Sequence, residues 1–184
     1  MLLDFSLGII VIIITTICGL PFFWKTQIRQ ISKISLSFAL GFIVILLFGV
    51  IPSFANLNPF PFQILGIILC FIACVICQYK YPWKLDVDTD DKIVVSVLML
   101  YFLFGIFFFN QIIMWMSGDA VAHAEMIRML IDGENLPIGL PGINRYAEYY
   151  PKGFHYYAYV WASIFPILKV IQVVPVVITS ITPI

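Results

Sequence analysis

The two histidines of the chain, His123 and His155, both lie in one polar segment, residues 118–155, between long apolar stretches. Asp119 precedes His123 by four residues, so a helix would bring the carboxylate and the imidazole to the same face. Such a pair can exchange a proton, or share a divalent cation such as Mg²⁺ or Mn²⁺. The same spacing fits a plain alternative, in which Asp119 is a helix cap and His123 a partly buried interface histidine.

A second group of candidate residues consists of the basic side chains near the end of this segment. Arg145, Lys152 and His155 flank Gly153, where the next apolar helix is predicted to begin. The free N–H groups of a helix N-terminus bind anions, so a phosphate could be held here. Many tyrosines surround these residues, and an aromatic belt with a snorkelling lysine at the lipid headgroups explains the same composition.

The segment itself predicts a short amphipathic helix. Ser117 or Asp119 can cap its start, it should end near Asp132, and Gly133 should stop it. Helical spacing places one polar set on the outer face: Glu125, Arg128 and Asp132. It turns Asp119 and His123 to the other face, together with Met126, Ile127 and Leu130.

The rest of the chain predicts membrane helices that position this segment. Of the 184 residues 62% are hydrophobic and only 11% charged, with a mean hydropathy of +1.04, far from the roughly 25% charge of soluble domains. Four runs are long enough to cross about 30 Å of hydrocarbon as helices: residues 6–24, 35–57, 60–79 and 93–116. We therefore expect an all-α, polytopic transmembrane helical bundle with a short juxtamembrane helix.

Three regions follow from these runs. Residues 1–116 should hold four transmembrane helices, residues 117–152 an extracytoplasmic loop with the amphipathic helix, and residues 153–184 a fifth span, 153–168, and the start of an incomplete sixth. The last run, 170–184, is short for a span, since 15 residues reach only about 22 Å. The expectation is that the chain is a fragment, or that a second polypeptide completes the bundle.

Charge sets the expected orientation and excludes one function class. Lysines and arginines cluster after the first and third spans, so those connections should face the cytoplasm and the 118–152 loop the outside of the cell membrane. The net charge is zero, which argues against nucleic-acid binding. The four cysteines lie within apolar runs and are predicted to pack as small hydrophobes, with a metal site as the remote alternative.

Several short motifs resemble the first large outward loop of GT-C-type membrane glycosyltransferases. They are the Gly-Asp with a histidine four residues on, the Asp-Gly helix end, the Leu-Pro loop, and the run Tyr-Pro-Lys-Gly-Phe-His. The resemblance covers about the last third of the chain. It implies transfer of a sugar from a polyprenyl-phosphate donor, with Asp119 as catalytic base or metal ligand. His123, Arg145, Lys152 and His155 would then be substrate-binding, and the spans would hold the lipid tail.

This chain departs from that family in having three extra spans before the loop. Two other function classes are compatible with the sequence. One is a transporter or channel component, although the spans carry no charge in an apolar centre. The other is an integral membrane subunit without chemistry of its own.

Overall fold

A computed structural model describes residues 2–83, 88–112, 118–134 and 153–181, and the regular structure of these residues consists of seven α-helices. They are α1 (Leu2–Phe23), α2 (Gln30–Phe54), α3 (Pro59–Lys80), α4 (Thr89–Ile112), α5 (Gly118–Ile131), α6 (Gly153–Ala162) and α7 (Ile167–Ile181). The predicted all-α helical bundle is confirmed.

The first three helices are long and apolar enough to cross a membrane, because a bilayer core demands about 20 apolar residues. The chain is therefore a membrane protein. The predicted fourth span corresponds to α4, whose first turn is charged and whose remainder is apolar. Asp88 caps α4 by accepting a hydrogen bond from the Asp91 backbone N–H at 2.7 Å, and Asn58 caps α3 in the same way at 2.9 Å.

Two glycines allow α1 and α2 to pack very closely. A Cβ atom on Gly41 would overlap the backbone carbonyl of Thr15, and one on Gly19 would overlap the carbonyl of Ser37. Membrane helices associate through such small residues because lipid supplies little hydrophobic drive between apolar helices. The α1–α2 pair is thus the close-packed centre against which α3, α6 and α7 lie, whereas α4 packs mainly on α7, and α5 packs on α6 and α7.

The amphipathic helix of the polar segment is confirmed as α5. After Ile131 the backbone N–H of Gly133 bonds to the Leu130 carbonyl, and that of Glu134 to the Met129 carbonyl at 2.8 Å. Gly133 has a φ of 81°, the left-handed conformation that ends helices in this pattern.

The two faces of α5 also agree with the predicted pattern. Met126, Ile127 and Leu130 are buried. Arg128 and Asp132 lie on the exposed face and approach within 3.7 Å.

The region predicted as a fifth span, 153–168, contains α6, a turn and the first two residues of α7. α6 has only 10 residues, so it extends about 15 Å and does not cross a bilayer core. It ends before Pro166, which has no N–H to continue the helical bonds and disfavours a helical residue before it. The Pro166 carbonyl then accepts from the backbone N–H groups of Lys169 and Val170 as α7 begins.

The two ends of the bundle differ in charge. One end, here called the Lys25 end, joins α1 to α2 and α3 to α4, and it carries the basic residues Lys25, Arg29, Lys33, Lys80 and Lys92. The Lys25 ammonium lies 3.8 Å from the ring centroid of Tyr81. This ammonium lowers the pKa of the Tyr81 phenol because it stabilises the phenolate. The opposite end contains the α2–α3 turn and is here called the Asn58 end.

Candidate functional site

The candidate site is built on α6, which polar contacts fix to the longer helices. The side-chain N–H₂ of Gln63 on α3 donates to the Tyr156 carbonyl at 2.7 Å and to the Ile45 carbonyl of α2 at 3.3 Å. Gln63 is fully buried, and a buried amide is costly unless it is hydrogen-bonded. A single glutamine thus connects α2, α3 and α6.

Two tyrosine hydroxyls add further connections. Tyr157 and Thr15 of α1 share a buried hydrogen bond of 2.6 Å. The Tyr159 hydroxyl donates to Asn58 Oδ1 at 3.0 Å, on the residue that caps α3. Both tyrosine rings are buried, so α6 is held by hydrogen bonds as well as by apolar packing.

The contacts of α6 with α2 define how deep it lies. A Cβ on Gly153 would approach Leu46, and one on Gly49 would approach the Cβ of Tyr156. The helix therefore runs beside the last turns of α2 toward the Asn58 end. Since Gly49 precedes the α2 end at Phe54 by five residues, Tyr156 lies about 7 Å inside that end.

His155 on α6 and His123 on α5 form a direct contact at this depth. Their Nε2 and Nδ1 atoms lie 2.8 Å apart, with ring centroids separated by 5.0 Å. His155 is fully buried, and the Phe154 ring lies 5.8 Å from that of His123. One of the two facing nitrogens must carry the proton while the other accepts. The pair can thus transfer a proton from one ring to the other.

The structure therefore unites two of the residues predicted from the sequence, which are 32 positions apart. Asp119 lies on α5 one turn before His123, and its side chain lies outside the described part of the chain. Arg145 and Lys152 also lie outside the described residues. Of the three residues predicted to bind phosphate, the described structure therefore contains only His155.

The histidine contact bears on the predicted divalent-cation site. Because Nδ1 of His123 and Nε2 of His155 face each other, these two atoms cannot direct lone pairs at one ion in this arrangement. Within the described residues, no three histidine, cysteine or acidic side chains are grouped as a metal would require. A cation bound through Asp119 therefore stays a prediction from the sequence.

Sequence reasoning missed two features of the surroundings. The first is Gln63, which connects three helices. In the sequence it is a single amide within an apolar run, and that interruption was the available signal. Lys169 at the start of α7 forms an ion pair with Asp4 of α1 at 3.1 Å, and only 3% of the Asp4 side chain is exposed. Each of these charged residues borders an apolar run, but their separation of 165 positions left no local pattern to find.

Comparison of the chain with protein-family models, curated proteins and solved structures gave no match.

Proposed function

We propose that the chain acts in membrane glycosyl transfer, using a polyprenyl-phosphate-linked sugar as donor on the outer side of the cell membrane. The observation that supports this best is the contact between His123 and His155. Ionisable groups inside a membrane bundle are costly and usually serve function. Here two are brought together by short helices at one end of the bundle, and the other polar candidates, Arg145 and Lys152, lie between these two helices in the sequence.

The proposed chemistry gives each candidate residue a role. The acceptor hydroxyl attacks the anomeric carbon, the bond from that carbon to the phosphate oxygen breaks, and the polyprenyl phosphate leaves. Asp119 takes the proton of the acceptor hydroxyl. A Mg²⁺ or Mn²⁺ ion, if held by Asp119 and His123, would supply Lewis acidity at the leaving phosphate. Arg145 and Lys152 neutralise the leaving phosphate, and the histidine pair supplies or accepts a proton during the transfer.

The charge distribution supports the proposed side of the membrane. Five described basic residues lie at the Lys25 end, and short loops rich in lysine and arginine stay in the cytoplasm. The histidine pair lies toward the opposite, Asn58 end. A donor flipped to the outer leaflet would reach it there.

The experiment compares donor binding and sugar transfer by the full chain in liposomes that contain a labelled polyprenyl-phosphate sugar. Asp119→Asn should abolish transfer while donor is still retained, because the amide keeps the shape but cannot take the proton. Replacing Arg145 or Lys152 by Gln should weaken donor retention about tenfold, since a charge-assisted hydrogen bond contributes about 1.5–3 kcal/mol. Glu125→Gln is the matched control, because Glu125 is exposed on the same α5 helix. Equal transfer by wild type and Asp119→Asn would refute the role of that carboxylate.

A non-catalytic membrane subunit or transporter component is the second candidate. It is favoured by the exposed apolar face of α3, where Leu65, Phe71 and Val75 are 49–55% exposed and would contact lipid or a second polypeptide. This function predicts no donor retention in the experiment above. A measurement of donor retention therefore distinguishes the two candidate functions.

A further inference from the structure

An apolar cleft of about 340 Å³ lies between α1, α2 and α4. Ile12 and Ile13 from α1, Ile34 from α2, and Val95 and Met99 from α4 form part of its wall. Pockets that bind small molecules have volumes of about 300–1,000 Å³. An apolar wall offers water no hydrogen bonds, whereas contact with a hydrocarbon chain is favourable there.

A second cavity, here called the charged pocket, lies next to this cleft at the Lys25 end. It measures about 330 Å³ and is lined by Arg29, Asp88 and Asp91 together with Gln27, Ile28 and Gln30. Ile31 of the cleft wall follows Arg29 by two residues. Val95 of the cleft wall lies one helical turn after Asp91. The two cavities therefore adjoin along the first two turns of α2 and α4.

The three charged side chains of the pocket already form ion pairs with one another. Arg29 Nη2 lies 3.2 Å from Asp91 and 3.4 Å from Asp88. Asp91 is nearly buried, with 6% of its side chain exposed, whereas Asp88 is 61% exposed. One guanidinium against two carboxylates leaves one negative charge in excess, and the accessible carboxylate is that of Asp88.

We propose that a phospholipid with a primary-amine headgroup, of the phosphatidylethanolamine class, occupies both cavities. Its phosphate would contact the Arg29 guanidinium, and its ammonium group would contact the Asp88 carboxylate. One acyl chain would follow the apolar cleft. The wall along α4 continues to Phe102, eleven residues beyond Asp91, so it extends about 16 Å into the membrane, which suits an acyl chain.

Headgroup chemistry distinguishes this lipid from others. A purely anionic headgroup such as phosphatidylglycerol could contact Arg29 but would bring no cation to the exposed carboxylate of Asp88. The trimethylammonium of phosphatidylcholine carries the charge but has no N–H to donate to Asp88. The site therefore favours the primary amine, and it is independent of the proposed sugar transfer.

Native mass spectrometry of the full chain in detergent, with each of the three phospholipids added in turn, tests the proposal. Phosphatidylethanolamine should stay bound at lower lipid concentration than the other two. Asp88→Asn keeps the helix cap, because asparagine caps as well as aspartate, but removes the charge. It should weaken phosphatidylethanolamine binding about threefold, in line with exposed ion pairs.

A pair of tryptophan substitutions tests the cleft. Ile13→Trp adds a ring in the cleft and should weaken binding about tenfold. Ile72→Trp is the matched control, because Ile72 on α3 is 48% exposed, close to the 51% of Ile13, and it should leave binding unchanged. Equal retention of all three lipids, or equal retention by Ile13→Trp and wild type, would overturn the proposal. Circular dichroism of each variant reports whether it folds. If Ile13→Trp does not fold, the effect of Asp88→Asn on phosphatidylethanolamine binding tests the proposal instead.

Discussion

Replacing Gln63 should loosen α6 and with it the histidine contact. Gln63→Met keeps the length of the side chain but removes the hydrogen bonds to the carbonyls of Tyr156 and Ile45, of 2.7 and 3.3 Å. Hydrogen bonds between membrane helices contribute about 0.6 kcal/mol on average and about 1.7 at most. The Oε1 atom of Gln63 accepts no hydrogen bond among the described residues, so its removal offsets part of the loss. We expect a decrease of about 1 kcal/mol in the free energy of unfolding.

Gln63→Glu should cost more, because a carboxylate in place of the amide would face two carbonyl oxygens without a donor. Charged side chains at the centre of a membrane helix cost about 2.5–3.5 kcal/mol; because Gln63 lies only one turn inside α3, the cost of Gln63→Glu should fall below that value but exceed the loss for Gln63→Met. Unfolding of purified protein by SDS in mixed micelles, followed by tryptophan fluorescence, measures both changes, and buried Trp161 on α6 reports on this helix. Gln27→Met is the control, since Gln27 is an exposed glutamine at the opposite, Lys25 end of the bundle. A Gln63→Met protein as stable as wild type would refute the view that this amide fixes α6.

Two further substitutions test the packing of the bundle. Gly41→Ala should destabilise the protein by about 1–2 kcal/mol in the same SDS titration, because overpacking of about 1–3 kcal/mol exceeds the helical gain from alanine of at most about 1. Gly66→Ala meets the side chain of Phe48 instead of backbone and should cost less, because a side chain can shift more easily than a backbone carbonyl; equal losses would contradict this. Gly133→Ala should shorten α5, because the φ of 81° found there costs alanine about 1 kcal/mol. Hydrogen exchange at the backbone amides of Leu130 and Ile131 measures this fraying, and unchanged protection would contradict it.

The long helices and α5 could be predicted because their signals are local. Each span is an apolar run of bilayer length, and its ends are marked by polar residues such as Asn58 and Asp88. The end of α5 was fixed by Gly133, whose backbone conformation is one that other residues rarely adopt. Such features depend on neighbours within a few positions along the chain.

The arrangement around α6 could not be predicted because its determinants are distant in sequence. Apolar composition alone made residues 153–168 appear to be one continuous span. The turn before Pro166 is stabilised by the separate docking of the two short helices. α6 bonds to Thr15, Gln63 and Asn58, and α7 bonds to Asp4. A helix too short to cross the membrane is stable here only because other helices satisfy its polar groups.

The same contacts explain why the sequence placed His123 and His155 in one segment without pairing them. Spacing along α5 pointed from His123 to Asp119, its neighbour one turn away, since helical periodicity ranks only residues on the same helix. His155 reaches His123 because Gln63 and Tyr157 fix α6 against α1, α2 and α3, and because Met126 and Leu130 bury α5 in an apolar cluster with Tyr156 and Tyr159. The chemistry of the histidine pair therefore depends on residues with no chemical role, and Gln63→Met should disturb the pair without touching either imidazole.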